Sequence, residues 1–211
     1  ADLGMRVIKI ERPNIGDDTR TYKPFRSGES AYFAYVNRNK ESVVLDLKSE
    51  TGRKAARELM KKCDIVVENF SVGTMKKLGL DYDSIKDERR DLIYASISGF
   101  GQTGPLAHRA AYDVVSQAMS GILRVTGFPD TPPVKVGVSV TDANAGVHCA
   151  MAILAALYYR DKTGRGQYID VSMMEAAVST LENFVVSYTA GGEIPKRNGN
   201  AHTTTAPFDV F

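Results

Sequence analysis

The chain is poor in the side chains that usually announce chemistry: 211 residues carry only two cysteines and three histidines. Cys63 and Cys149 fall in helical patterns without metal-ligand spacing, so reduced, buried thiols are expected rather than a disulfide frame. His108, His148 and His202 are scattered, and no Ser/His/Asp or Cys/His arrangement emerges. Net charge is scarce too, 27 basic residues against 25 acidic ones. That excludes recruitment to nucleic acid or a membrane surface by bulk charge. No apolar run reaches the ~20 residues of a membrane span. No secretory leader pattern is present, and a cytoplasmic location is expected. A G-x-G-x-x-G loop is also missing before Ile8-Lys9-Ile10-Glu11, which discounts Glu11 as the ribose acid of a dinucleotide fold. A start lost from the chain leaves that alternative open.

What is present is a regular alternation. Short β-branched runs at Arg6–Glu11, Ser42–Leu47, Ile65–Glu68, Leu92–Ser96, Val136–Val140 and Tyr168–Ser172 read as strands. Helical periods lie between them: Glu50–Cys63 after the N-cap Ser49, Tyr112–Gly121, and Ala143–Tyr159. The last is apolar nearly all round and is expected to be buried. Met173–Ala190 reads as one more helix, ended by Gly191-Gly192. The fold expected is α/β, a mainly parallel sheet covered by helices. Asn14–Asn39 is long, polar and aromatic, a loop or irregular helix of functional length. From Gly191 the composition turns flexible, as in a linker. Ala1-Asp2-Leu3-Gly4 reads as the last turn and glycine cap of a helix, and Ala206–Phe211 as strand-like, so a piece of a longer protein is expected.

One stretch carries most of the functional signal. Val136–Val140 is followed by Thr141-Asp142-Ala143-Asn144-Ala145-Gly146, which puts the Asp142 carboxylate at a strand end where a helix begins. In open α/β sheets ligands bind in that crevice, and helix amides favour negative charge there. Asp142 is then either a helix N-cap, worth ~1 kcal/mol, or a nucleophile. Local sequence gives the two about even weight. The turn Glu68-Asn69-Phe70-Ser71-Val72-Gly73 offers backbone amides and an aromatic face to a nucleotide, although a bland βα turn is as common. Arg12, Lys48, Lys77 and Arg109 recur on strand ends and loops. Each alone reads as a solvated cation; together they suit an anionic ligand on that rim. Glu175, opening a helix, reads as structural.

Taken in order, these segments resemble the class III (formyl-CoA transferase-like) coenzyme A-transferase family. The matches run through Leu3-Gly4-x-x-Val7 and on to Pro13, Gly16–Arg20, Asn37–Ser42, Leu45-Asp46-Leu47-Lys48, Val67-Glu68-Asn69-Phe70 and Ser98–Pro105. They close with Asp142-x-x-x-Gly146 and Arg160-x-x-Thr163-Gly164-x-Gly166-Gln167. The resemblance implies a Rossmann-like, CoA-binding large domain over 1–190, lacking its first strand and helix. Residues 191–211 would then be a linker and the start of a smaller second domain. It implies that Asp142 is the catalytic aspartate, esterified in turn by acyl group and CoA. Arg12, Leu45, Lys48, Asn69, Phe70, Lys77 and Arg109 take CoA-contact positions. Lys77 stands where a family member has Arg, a change that keeps charge but loses the planar fork. Tyr32 and Asp113 fall on positions lining the family's active site. No permanently bound cofactor or metal is implied. The partners implied are acyl-CoA and a small carboxylic acid, with no nucleic acid or membrane, and an interlocked homodimer for the full-length protein. Related racemases place His before the Asp in the segment matching Tyr112-Asp113, so Tyr112 argues against α-proton abstraction. A racemase-like enzyme acting on 2-methylacyl-CoA and a non-catalytic CoA-binding module remain the alternatives. The family's glycine-rich closing loop and second domain have no match here, so these residues alone are expected to show little transferase activity.

Overall fold

Short β-branched runs and one-sided helices produce a mixed α/β fold with parallel sheets in the computed structural model, which describes residues 1–210. In chain order the elements are β1 (Val7–Glu11), β2 (Phe25–Arg26), β3 (Glu29–Ser30), α1 (Ala31–Asn37), β4 (Lys40–Val44), α2 (Glu50–Lys62), β5 (Ile65–Glu68), α3 (Thr74–Leu78) and α4 (Tyr82–Ile85). Then come β6 (Ile93–Ser98), α5 (Asp113–Ser120), α6 (Ile122–Val125), α7 (Val140–Thr163), β7 (Tyr168–Ser172), α8 (Met173–Val178) and α9 (Asn183–Thr189). Two units divide the chain. The first holds Ala1–Lys62 and Lys76–Ile85; the second holds Cys63–Met75 and the chain from Lys86 onward.

In the first unit β1 and β4 pair in parallel, Val7 opposite Lys40 and Glu11 opposite Val44. The second strand therefore starts and ends earlier than the expected Ser42–Leu47. It stops because Asp46 turns the chain, its carboxylate accepting from the Lys48 N–H at 2.9 Å. The segment expected as loop or irregular helix is more ordered than its composition suggests. It holds a 3-10 turn at Asp18–Thr21, the β2–β3 hairpin, and α1, whose cap Ser30 accepts from the Phe33 N–H at 3.0 Å. Helix α2 begins after Ser49 as read from the sequence, with Ser49 Oγ accepting from the Gly52 N–H at 3.0 Å. Its inner face is Gly52, Ala56 and Met60, one residue per turn.

The second unit is built on the all-parallel sheet β5-β6-β7 with β6 in the middle. Ile93, Tyr94, Ala95 and Ser96 are all buried, the continuous run expected of a strand covered on both faces. Against it packs a stripe of α7 spaced one turn apart: Ala145, Cys149, Ile153 and Ala156. Small residues on that stripe let helix and sheet approach closely. The turn into β7 is tighter still. Gly166 donates its N–H to Arg90 O at 2.8 Å, and a Cβ added there would lie 1.9 Å from Leu92 O. A Gly166→Ala substitution must push backbone apart beside the central strand. The expected loss is about 3 kcal/mol, read from the urea midpoint.

Several expectations are corrected. Val136–Val140 is not a strand: Val136 and Val138 lie in irregular chain and Val140 already opens α7. The run has Gly137 in its middle and pairs with no strand among the described residues; the Val136 N–H goes instead to the Gln117 amide oxygen at 2.8 Å. Helix α7 is not buried all round, since Val147, Met151, Leu154 and Tyr158 face outward on its far side. At 24 residues it is long and apolar enough to cross a membrane by length and composition. Its inner stripe nevertheless serves the core of this unit. The helix expected over Met173–Ala190 is two, α8 and α9, broken where Glu182 takes φ 43°. Residues 206–210 form no strand, and Phe211 lies outside the described residues.

Candidate active site

Asp142 is the third residue of α7, inside the first turn rather than at its cap. That overturns the helix-cap reading. The cap position belongs to Ser139, whose side chain makes no capping bond. One orphan amide of the helix start is instead satisfied from outside the helix: Asp113 Oδ1 accepts from the Thr141 N–H at 2.9 Å and from Thr141 Oγ1 at 2.8 Å. The Asp142 carboxylate is exposed and, among the described residues, has no hydrogen bond or ion pair. Although its tip reaches water, crowding by protein atoms raises its pKa above the ordinary aspartate value, and the neighbouring Asp113 carboxylate adds to the rise. The site therefore holds a free, more basic carboxylate at a helix N-terminus that favours its charged form. Such a group can attack an electrophilic carbonyl, or take a proton, without first breaking a bond to the protein.

Asn69, Phe70 and Arg109 lie in the same unit. Asn69 follows β5 and donates from Nδ2 to Ile97 O at 2.7 Å, tying the loop to the end of β6. That bond uses one amide N–H and leaves the carbonyl available. Phe70 is 46% exposed, its N–H held at 2.8 Å by the buried Glu68 carboxylate, so the ring is presented on a fixed turn. Arg109 is exposed, in a loop closed by its N–H donating to Leu106 O at 2.9 Å, and its guanidinium has no protein partner among the described residues. Tyr112 precedes α5 and is one of the most exposed aromatics. The Cys149 thiol, pushed up by burial, is the inert core group the sequence suggests.

Arg12, Leu45, Lys48 and Lys77 lie in the other unit. Arg12 leaves the end of β1 and bonds the Asp18 carboxylate, with Nε donating to Gly16 O at 3.3 Å. Leu45 is half-buried beyond β4, its N–H donating to Glu11 O at 3.0 Å. Lys48 and Lys77 are exposed and carry no side-chain bond among the described residues. Tyr32 opens α1 with its ring 5.7 Å from that of Tyr22. Glu11, once an open candidate for ribose, is not available to a ligand. It is 5% exposed and accepts from Arg20 at 2.8 and 2.9 Å, from Ser42 Oγ at 2.7 Å and from the Asp17 N–H at 3.0 Å. The bonded Arg20 guanidinium chiefly, against the opposing effect of burial, holds its pKa at about 2. Sequence reasoning missed both this cluster and the Asp113–Thr141 bond. The only signals were Gly16-Asp17-x-x-Arg20 and an Asp–x–x–x–Gln spacing on α5. No group of three or more metal-ligating side chains occurs among the described residues.

A family model for CoA-transferase family III matches residues 1–211. The acetyl-CoA:oxalate CoA-transferase of Acetobacter aceti is 51% identical over the whole chain, which covers 54% of that relative. The succinyl-CoA:glutarate CoA-transferase of Mus musculus is 43% identical, again over the whole chain and 48% of the relative. A crystal structure of a CAIB/BAIF family protein from Brucella suis superposes with a TM-score of 0.92 at 46% identity, over 99% of this chain and 56% of that one. The chain thus spans about half the length of the relatives it matches. A match along its full length, at these identities and with the same fold, leaves one assignment: the chain belongs to CoA-transferase family III.

Proposed function

We propose that the protein transfers coenzyme A from an acyl-CoA thioester to a small carboxylic acid, with Asp142 as the covalent nucleophile. The observation that carries the reading is the Asp142 carboxylate itself, unpaired and raised in basicity at the first turn of α7. In the proposed sequence it attacks the thioester carbonyl, releasing CoA thiolate and leaving a mixed anhydride. The thiolate attacks the aspartyl carbonyl, expelling the donor acid and forming an aspartyl-CoA thioester. The acceptor carboxylate then attacks that thioester and frees the thiolate again. Finally the thiolate attacks the acceptor's acyl carbon, giving the new acyl-CoA and restoring Asp142. Because one thioester replaces another, the protein's work is to align reactants and keep water out.

In the unit that holds Asp142, Arg109 suits a phosphate of CoA, Phe70 its base and Asn69 a polar edge; in the other unit Arg12, Lys48 and Lys77 have the charge, and Leu45 the apolar edge, that the family resemblance implies for CoA. The relatives' names pair acetyl- or succinyl-CoA with oxalate or glutarate, which supports a small dicarboxylate as acceptor. Tyr112, in the place of a racemase histidine, disfavours α-proton exchange. A homodimer of the full-length protein and a cytoplasmic location belong to the same reading; the apolar outer face of α7 supports the first. The test is mass spectrometry of the full-length protein quenched in mid-turnover. An acyl or CoA adduct on the peptide carrying Asp142 is expected; an adduct on another residue, or none in an enzyme that is turning over, sinks the reading.

A further inference from the structure

Gln117 is fully buried in the middle of α5, yet every polar atom of its side chain is used. Its Nε2 donates to Asp113 Oδ2 at 2.6 Å and reaches Val138 O at 3.5 Å, while Oε1 accepts from the Val136 N–H at 2.8 Å. The other Asp113 oxygen holds the Thr141 backbone and hydroxyl. One amide therefore knits together the start of α5, the irregular chain before α7, and the residue directly preceding Asp142. An amide is the side chain that donates and accepts at once. Turning it over would set its oxygen against the Asp113 carboxylate and its NH2 against the Val136 N–H, so its orientation is forced.

We propose that Gln117 is a positioning residue for Asp142, fixing the first turn of α7 through Asp113 and the backbone at Val136. The inference rests on Asp142 being the nucleophile. Ser139 supplies no side-chain cap, so the helix start depends on groups from outside α7. A displacement of about 1 Å at a nucleophile costs on the order of 100-fold in rate. Gln117→Met fills similar volume, strands the Val136 N–H and takes one donor from Asp113.

In the full-length protein Gln117→Met is expected to lower kcat by roughly 10- to 100-fold, with KM for acyl-CoA within about twofold of the parent. A purely structural role would lower the folded fraction and leave kcat per folded molecule unchanged, and that result overturns the proposal. Should Gln117→Met not fold, Thr141→Val serves: it removes the hydroxyl's two bonds to Asp113, to Oδ1 at 2.8 Å and to the carbonyl oxygen at 3.3 Å, without changing shape. Its expected loss in kcat is roughly 3- to 10-fold, and a parental kcat overturns the proposal equally. Asp142→Asn is assayed alongside. If it is inactive while Gln117→Met runs at the parental rate, only the positioning role fails. If Asp142→Asn still exchanges, the nucleophile reading fails and takes this inference with it.

Discussion

Asp142→Asn is expected to abolish exchange, by at least about 10⁴-fold, while the protein folds and still binds CoA. Asparagine has the same shape, and among the described residues Asp142 makes no bond that the change would break. The loss of a favourable charge at the helix start, about 0.3–1 kcal/mol, is set against relief from the Asp113 carboxylate. A shift in stability beyond about 1 kcal/mol would mean that the side chain has a structural task as well. Thermal melting and CoA titration separate the two. The wild-type rate should carry the same signature. Only the ionised carboxylate attacks, and burial and Asp113 raise its pKa, so activity falls with acid through a pKa above the ordinary aspartate value of 3.8. An acid limb at or below that value contradicts the assignment.

The largest pH-dependent effect on stability is expected at Glu11. Its pKa is lowered from 4.5 to about 2, with Arg20 as the main cause. A carboxylate depressed on folding stabilises the folded state at pH values above its unfolded pKa. The contribution is present above about pH 4.5 and disappears as the pH falls through about 2. A shift of this size corresponds to roughly 3 kcal/mol, but Arg20 is 43% exposed. Screening by water brings the expectation to about 2 kcal/mol. Glu11→Gln should cost that much at pH 7 in urea unfolding and little near pH 2. An equal cost at both pH values would assign the loss to packing rather than charge. The neighbouring Asp17 behaves alike: burial opposes the shift, yet Lys9 at 2.5 Å and Thr19 hold it at about 2.

Local signals proved readable wherever the chain decides its own conformation. Ser49 caps α2, and Ile65–Glu68 and Tyr168–Ser172 are strands with those same bounds. What failed depends on partners distant in sequence. Val136–Val140 has the composition of a strand, but its backbone is claimed by an amide on another helix. Helix α7 has apolar residues on every side, and sequence cannot say which of them meet the sheet; the small ones, Ala145 and Ala156, do. The break at Glu182 carries no proline or glycine to announce it. For the site, Asp142 stood out because the sequence placed it where a strand ends and a helix begins; the helix start is there, the strand is not. Gln117 did not, because a polar residue on a helix reads as surface until its burial is known.

The order of strands in the parallel sheet has a consequence for biosynthesis. Strand β6 lies between β5 and β7, but β7 is translated long after the other two, with α5, α6 and α7 in between. At about 5–20 residues per second, β6 leaves the ribosome several seconds before its second neighbour exists. During that interval one edge of β6 stands open, its backbone N–H and C=O groups without their partner strand. A chaperone that covers this edge is therefore expected to raise the yield of folded protein in a foreign host.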